Sequence, residues 1–161
     1  MPGTVASARV ALRPATADDR DFLVAFYGST RDDLALLPLD TEQRDAIVRM
    51  QFHAQDMHYR QTNHDASFEV VEIEGRPIGR LYVDRRADDI RIIDISLLPE
   101  HRNAGIGSAL VRAVQDEAAA SGRTVSLHVT IGNPAAGLYD RLGFRLADDL
   151  GVYRQLEWRS S

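Results

Sequence analysis

Apolar pairs recur at helical spacing near the start of the chain, with Phe22/Leu23 followed by Phe26/Tyr27. Thr16, with Asp19 three residues later, has the form of a capping box, so the pattern predicts a first helix over about residues 17–29. RDDLALLPLD then reads as a loop ended by Pro38, after which Asp40 or Thr41 can cap a second helix carrying Ile47, Val48 and Met50. From Ser67 the period changes to two. SFEVVEIEGRPIGRLYVDRRADDIRIIDISLLP predicts three strands joined by turns at 74–77 and near 86–89, an antiparallel meander. A helix opening at Gly105 follows, then the strand TVSLHVT, a short helix over about 134–142 and two last strands within 144–159. No repeat, low-complexity segment or linker interrupts the series, so residues 1–161 read as one domain with a core over about 9–159.

Composition narrows what such a domain can do. At 161 residues the chain is long enough to bury a core without disulfides or metals, and 44% hydrophobic with 27% charged residues is the balance of a globular protein. The absence of cysteine excludes a disulfide framework, a thiolate nucleophile and any cysteine-ligated metal. A net charge of −5 argues against a nucleic-acid partner. No apolar run approaches the roughly 20 residues of a membrane span, and MPGTVASARV lacks the pattern of a secretory signal. A cytoplasmic location with no membrane partner is therefore expected. His53, His58 and His64 lack the i, i+4 pairing of a helical metal site, so no metal is expected.

The stretch LPEHRNAGIGSALVRAV carries the candidate chemistry. Two glycines stand where a helix should begin, just after an arginine. A helix N-terminus offers unpaired N–H groups and the positive end of the dipole, and residues without a Cβ let phosphate oxygens approach the main chain. The alternative is a turn that only needs positive φ. Two common phosphate loops do not fit. The P-loop needs Lys-Ser or Lys-Thr after its last glycine, where this chain has Ser108-Ala109; the dinucleotide fingerprint needs Gly or Ala at the position held by Leu110.

Over nearly its whole length the chain resembles the GCN5-related N-acetyltransferase (GNAT) superfamily. That family's acetyl-CoA motif is matched by Arg102, Asn103, Ala104, Gly105, Ile106 and Gly107, preceded by DISLLPEH. A second signature is matched by Asn133, Ala136, Tyr139 and Gly143-Phe144. The resemblance implies an α/β fold with a central mixed, mostly antiparallel sheet of six to seven strands and about four helices, its fourth and fifth strands parallel but splayed around the cofactor. Pro99, which has no N–H, and the pair Gly132 and Pro134 are plausible causes of the splay. The freed N–H groups of Leu97 and Leu98 would then hold the pantetheine arm and the thioester carbonyl. Arg102, Asn103, Ala104, Gly105, Ile106, Gly107 and Ser108 would hold the pyrophosphate, with Asn133 and Tyr139 also at the cofactor.

The implied activity is transfer of acetyl from acetyl-CoA to a primary amine of a small molecule or peptide, by direct attack in a ternary complex. Tyr139 is the expected acid toward the departing thiolate, and Leu98 N–H the expected oxyanion donor. Alternation along IIDISLL puts Ile93, Ile95 and Leu97 on one face and Asp94 and Ser96 on the other. Asp94 is the candidate base, and near a buried cleft desolvation should raise its pKa; a structural carboxylate is the competing reading. His128 could serve instead, though a structural histidine is the simpler role. The acidic pairs Asp32/Asp33, Asp88/Asp89 and Asp148/Asp149 read as solvated charges, two of them candidates for attracting a cationic amine, with Phe52 and Tyr59 lining an entrance. A non-catalytic acyl-CoA-binding sensor of the same fold is the alternative function, and a homodimer is compatible with the family.

Overall fold

The computed structural model describes residues 9–102 and 104–161. These fall into two compact units, one of the chain up to Arg13 together with Asp65–Ser161, the other Pro14–His64.

The second unit is helical. Thr16 donates its main-chain N–H to the Asp19 carboxylate at 2.7 Å, closing the predicted capping box before α1 (Arg20–Ser29). The RDDLALLPLD segment is not wholly loop, because Asp32–Ala35 forms a short helix, α2, that buries Leu34. Asp40 caps α3 (Thr41–Thr62), accepting from Gln43 N–H at 2.7 Å while Gln43 Oε1 accepts from Asp40 N–H at 3.0 Å. Tyr27 meets Phe52 edge-on at 6.1 Å, and Arg31 bonds both the Tyr27 hydroxyl and Gln51, fixing α1 against α3.

The first unit holds the sheet. Among the described residues its strands are β1 (Val10–Pro14), β2 (Ser67–Ile73), β3 (Arg76–Arg85), β4 (Asp89–Leu97), β5 (Thr124–Thr130), β6 (Arg145–Asp149) and β7 (Tyr153–Trp158), in the order β1-β2-β3-β4-β5-β7-β6. The meander β2-β3-β4 is antiparallel, as its alternation predicts, and β4 pairs with β5 in parallel. α4 (Ile106–Ser121) covers one face, burying Ile106, Leu110, Val111, Val114 and Ala118 in a core with Val71, Leu81, Val83, Ile90, Ile92, Val125 and Leu127. α5 (Ala136–Arg141) adds Tyr139, and Phe144 follows it into the same core. β1 was not evident in the residue pattern. It is five residues long and ends in proline, and Arg13 ties it to Glu72 of β2 at 2.8 Å.

The opposition of β3 and β4 leaves no room at one point. A Cβ on Gly79 would sit 2.2 Å from the Ser96 carbonyl oxygen and 3.1 Å from Leu97 Cα, so the strands approach as they do only because no side chain is there. Gly79→Ala should lower unfolding free energy by about 2–4 kcal/mol in chemical denaturation. A loss below about 0.5 kcal/mol would mean the strands relax freely there.

Candidate active site

β4 and β5 pair only from Asp89↔Thr124 to Ile92↔Leu127. Beyond that point β4 stays with β3 as far as Leu97↔Gly79, and β5 stays with β7 as far as Thr130↔Tyr153, so a gap opens between them. The cause lies in the β3–β4 ladder. Tyr82 faces Asp94 but Val83 faces Ile92, leaving Ile93 as an extra residue. A bulge bends its strand and increases local twist, which carries β4 away from β5. The prolines and glycine expected to open the gap act later. Pro99 follows the last residue of β4 by two and opens a single 3-10 turn, Pro99–His101, while Gly132 and Pro134 come after β5 has ended at Thr130.

The bulge also corrects the expected face assignment. Ile90 and Ile92 belong to the core before it, Ile95 and Leu97 after it, and Ile93 is not among the residues packed on that core. Asp89 and Arg91 before the bulge, and Asp94 and Ser96 after it, thus share the opposite face.

The main-chain donor at the gap is also different from the expected one. Leu98 N–H is not free, because it donates to Ile78 O at 2.8 Å across the β3–β4 ladder. Its predicted oxyanion role is therefore withdrawn. In an antiparallel ladder the residues that bond their partner alternate with residues that turn away. Leu98, Ser96 and Asp94 turn toward β3, so Leu97 and Ile95 turn their N–H and C=O groups toward the gap. The Leu97 carbonyl accepts there from Arg102 Nε at 3.0 Å.

α4 begins beside this gap. Gly105 is its N-cap at φ +83°, a conformation that explains glycine there without any ligand. Gly107 has no such explanation: it lies within the helix, and a Cβ added there would meet only Leu138 Cδ2, at an ordinary 3.8 Å. Glycine in a helix costs about 1 kcal/mol relative to alanine. No side chain caps α4 and no acidic residue occupies its first turn. The first return bond runs from Ala109 N–H to Gly105 O at 3.0 Å, so the N–H groups of Ile106, Gly107 and Ser108 precede the hydrogen-bonded turn. The Ile106 side chain is buried in the core, leaving its main chain as what it can offer a ligand. Arg102, Ala104 and Gly105 are exposed. Asn103 lies outside the described residues.

Asn133 acts locally, its Oδ1 accepting from Ala135 N–H at 2.8 Å and so ordering the turn into α5. The far end of α5 is tied to α4 by Gln115 Nε2 donating to Leu142 O at 2.9 Å. Between them Tyr139 is 6% exposed, its ring edge-on to Phe144 at 5.6 Å. Burial pushes the Tyr139 hydroxyl up to about 12, and the Asp94 carboxylate adds to the rise.

Asp94 is held at both oxygens. Arg80 Nη2 donates to Oδ2 at 2.6 Å, and Ser96 Oγ donates to Oδ1 at 2.7 Å. The Arg80 side chain is 5% exposed, with its guanidinium 5.0 Å from the Tyr82 ring centroid. Asp94 is thus an anchored carboxylate rather than one isolated in an apolar cleft. Arg80 was missed in the residue pattern, since an arginine at an alternate position of a strand usually faces water. The one available signal was an acidic residue on the next strand, and the register that joins them depends on the bulge. His128 is exposed on β5, its Nε2 3.4 Å from Arg91 Nη1. Arg91 also donates to Ser126 Oγ at 2.7 Å, and burial pushes its guanidinium down from its ordinary value.

The remaining candidates are held by local partners or face solvent. Phe52 is buried, packed by Tyr27 and with Arg20 over its ring, so it lines no entrance. Asp33 is paired with Arg31 at 2.8 Å, which holds its carboxyl below the usual range, and Asp149 accepts from Gly151 N–H at 3.1 Å. His53, His58 and His64 are exposed. No helix among the described residues is long and apolar enough to cross a membrane.

A sequence model of the Acetyltransferase (GNAT) family matches residues 34–144. A candidate ribosomal protein bS18-alanine N-acetyltransferase of Bacillus subtilis (strain 168) is 34% identical over 82 residues. That match takes in 50% of this chain and 54% of the relative, so the chain spans about half the length of this curated relative. The crystal structure of the PaiA N-acetyltransferase from Thermoplasma acidophilum with coenzyme A superposes with a TM-score of 0.70 at 18% identity, covering 94% of this chain and 99% of that one. Spermidine N-acetyltransferase from Vibrio cholerae, crystallised with CoA and spermine, gives 0.65 at 17% identity, covering 95% and 96%. At these identities the two structures establish likeness of fold.

The Tyr139 hydroxyl yields a prediction that needs no substrate. Its folded-state value, about 12, lies above its ordinary value of 10.0, so the linked stability is complete below pH 10 and is lost as pH rises through 12. A shift of this size corresponds to about 3 kcal/mol. All 19 basic side chains are arginine, so no lysine titrates in that window. Urea unfolding of Tyr139→Phe between pH 9 and 12 should show a shallower alkaline loss than wild type; parallel curves would place the hydroxyl in water.

Proposed function

Because the chain belongs to the acetyltransferase (GNAT) family, we propose that it moves an acetyl group from acetyl-CoA to a primary amine of a small molecule or peptide, by direct attack within a ternary complex. The observation that carries this reading is the start of α4. Its N–H groups are uncapped, its first turn has no acid, and Gly107 is a glycine that the protein's own packing does not require. Those properties suit a diphosphate, which gains hydrogen bonds and the helix field together. Arg102, Ala104, Gly105, Ile106, Gly107 and Ser108 would form that seat, with Asn103 as its remaining member.

The reaction makes three demands: the acceptor ammonium must lose a proton, charge on the thioester oxygen must be stabilised, and the thiolate must gain a proton. Leu97 N–H, turned into the gap, is assigned to the thioester oxygen in place of Leu98. Tyr139 is assigned as the acid. A hydroxyl with a value of about 12 keeps its proton throughout the neutral range, so it is ready to donate and is reprotonated by solvent after each turnover. Asp94 is assigned to receive the ammonium proton. Asn133 supports the cofactor side by ordering the entry to α5.

The relatives differ in acceptor, one being named for an alanine of ribosomal protein bS18 and one crystallised with spermine, which supports a primary amine as the shared chemistry. The absence of lysine removes side-chain self-acetylation as an assay background.

Acetyl-CoA offered with a panel of polyamines, amino acids and short peptides should release free thiol above hydrolysis for at least one acceptor. Binding of acetyl-CoA with no release from any amine would leave an acyl-CoA sensor as the function. With the best acceptor, Tyr139→Phe should lower kcat about 10²-fold with little change in CoA affinity. Equal loss of both would make Tyr139 a packing residue. Gly107→Ala should raise thermal stability while weakening CoA binding about tenfold in calorimetry; unchanged CoA affinity would place the diphosphate elsewhere.

A further inference from the structure

We propose that Ser96 is the group that touches the acceptor amine, its hydroxyl relaying the ammonium proton to Asp94 while Arg80 fixes the carboxylate in place. The inference rests on the acetyltransferase reading and names the route of its first proton transfer.

The geometry begins from a cost. Burying a guanidinium is expensive, and a buried ion pair seldom adds net stability over an apolar pair of the same shape. Arg80 is nevertheless 95% withdrawn from solvent in the central strand β3, 2.6 Å from Asp94. Its neighbour across the ladder is Ser96, and Asp94 is two residues away on the same strand and face. The three side chains form one chain of bonds: Arg80 Nη2 to Asp94 Oδ2, and Ser96 Oγ to Asp94 Oδ1 at 2.7 Å.

Each group in that chain has its direction set. A guanidinium only donates, so Asp94 Oδ2 is taken as an acceptor by Arg80. The Ser96 hydroxyl has one proton, which it gives to Oδ1, and its two lone pairs can accept. An ammonium has protons to give and nothing to accept, so the hydroxyl oxygen is its complement. Asp94 itself is 14% exposed in its side chain, so its oxygens, already engaged, present little surface to a substrate.

The transfer balances without any further reactant. The ammonium N–H breaks as its proton passes to Ser96 Oγ, and the Ser96 O–H breaks as its own proton passes to Asp94 Oδ1. Serine ends unchanged and the carboxylate ends as a carboxylic acid. The freed nitrogen lone pair attacks the thioester carbon, the C–S bond breaks and the thiolate takes the Tyr139 hydroxyl proton, while the new amide nitrogen releases its second proton to solvent, from which Tyr139 is reprotonated. Arg80 takes no proton at any stage, so it is a positioning residue.

The titratable and charged groups on this face of the sheet are Arg80, Tyr82 and Asp84 of β3, Asp89 and Arg91 of β4 and His128 of β5, and Asp94 also acts on the Tyr139 hydroxyl of α5. His128 Nε2 is engaged with Arg91, so the relay does not depend on it.

The test compares two acceptors of one shape. The first is the alkylamine that gives the greatest thiol release in the panel; the second is its alkoxyamine analogue, weakly basic and already unprotonated near neutral pH. Ser96→Ala should lower kcat for the alkylamine about 10²-fold near pH 7, lose much less with the alkoxyamine, and recover as pH rises and the free amine forms. The KM for acetyl-CoA should stay within about threefold, and Ser96→Thr, which keeps the hydroxyl, should restore most of the rate. Equal losses with both acceptors, or no loss with the alkylamine, would overturn the relay. Wild-type protein that turns over no amine removes the acetyltransferase reading itself, and the relay with it.

Discussion

Ile93 has no partner across the β3–β4 ladder, and the consequences run in both directions along β4. Upstream, Ile90 and Ile92 pair with Val125 and Leu127 in parallel and bury their side chains under α4. Downstream, the strand bends, Ile95 and Leu97 take over the core face, and the main-chain groups of these two residues turn into open space. A strand without the extra residue would lack that bend and its added twist. It would also carry Ile93 in the core register and present a different set of polar residues opposite. One added residue therefore opens the gap and sets which side chains flank it.

An opening of this kind must be held closed at its base. Asp89 accepts from Thr124 Oγ1 at 2.7 Å and from Ser126 Oγ at 2.5 Å, and Ser126 accepts from Arg91 Nε at 2.7 Å. These bonds join β4 to β5 over the same residues that pair through the backbone. At the other end each strand is fixed to a different neighbour, β4 to β3 by the close approach at Gly79, β5 to β7 along its length. The divergence is thus a property of three ladders together, and no flexible segment is needed to maintain it.

Much of this was legible in the residues. The change from helical to two-residue period at Ser67, the turns that divide the meander, the Thr16 capping box and the cap at Asp40 appear where the pattern places them. What was hidden depends on register. Alternation alone puts Ile93 with Ile95 and Leu97, because a bulge leaves no mark in a run of isoleucines. The same slip hides which amide faces the gap, and it assigned to Leu98 a role its bond to Ile78 forbids. Arg80 was hidden for a second reason: a buried charge is recognisable only once its partner is in place. The glycine motif had the opposite character. Its spacing was plain, but only the structure separates Gly105, which positive φ explains, from Gly107, which it does not.

The two groups assigned proton transfer in the proposed reaction, Asp94 and Tyr139, differ in how their surroundings treat charge. Asp94 is given a guanidinium and a hydroxyl donor, both of which hydrogen-bond its carboxylate oxygens. Tyr139 is given an aromatic neighbour and burial, together with the field of Asp94, all of which oppose tyrosinate. Protonating Asp94 removes part of the charge that opposes ionisation of Tyr139. In the proposed reaction, transfer of the first proton would therefore make release of the second less costly.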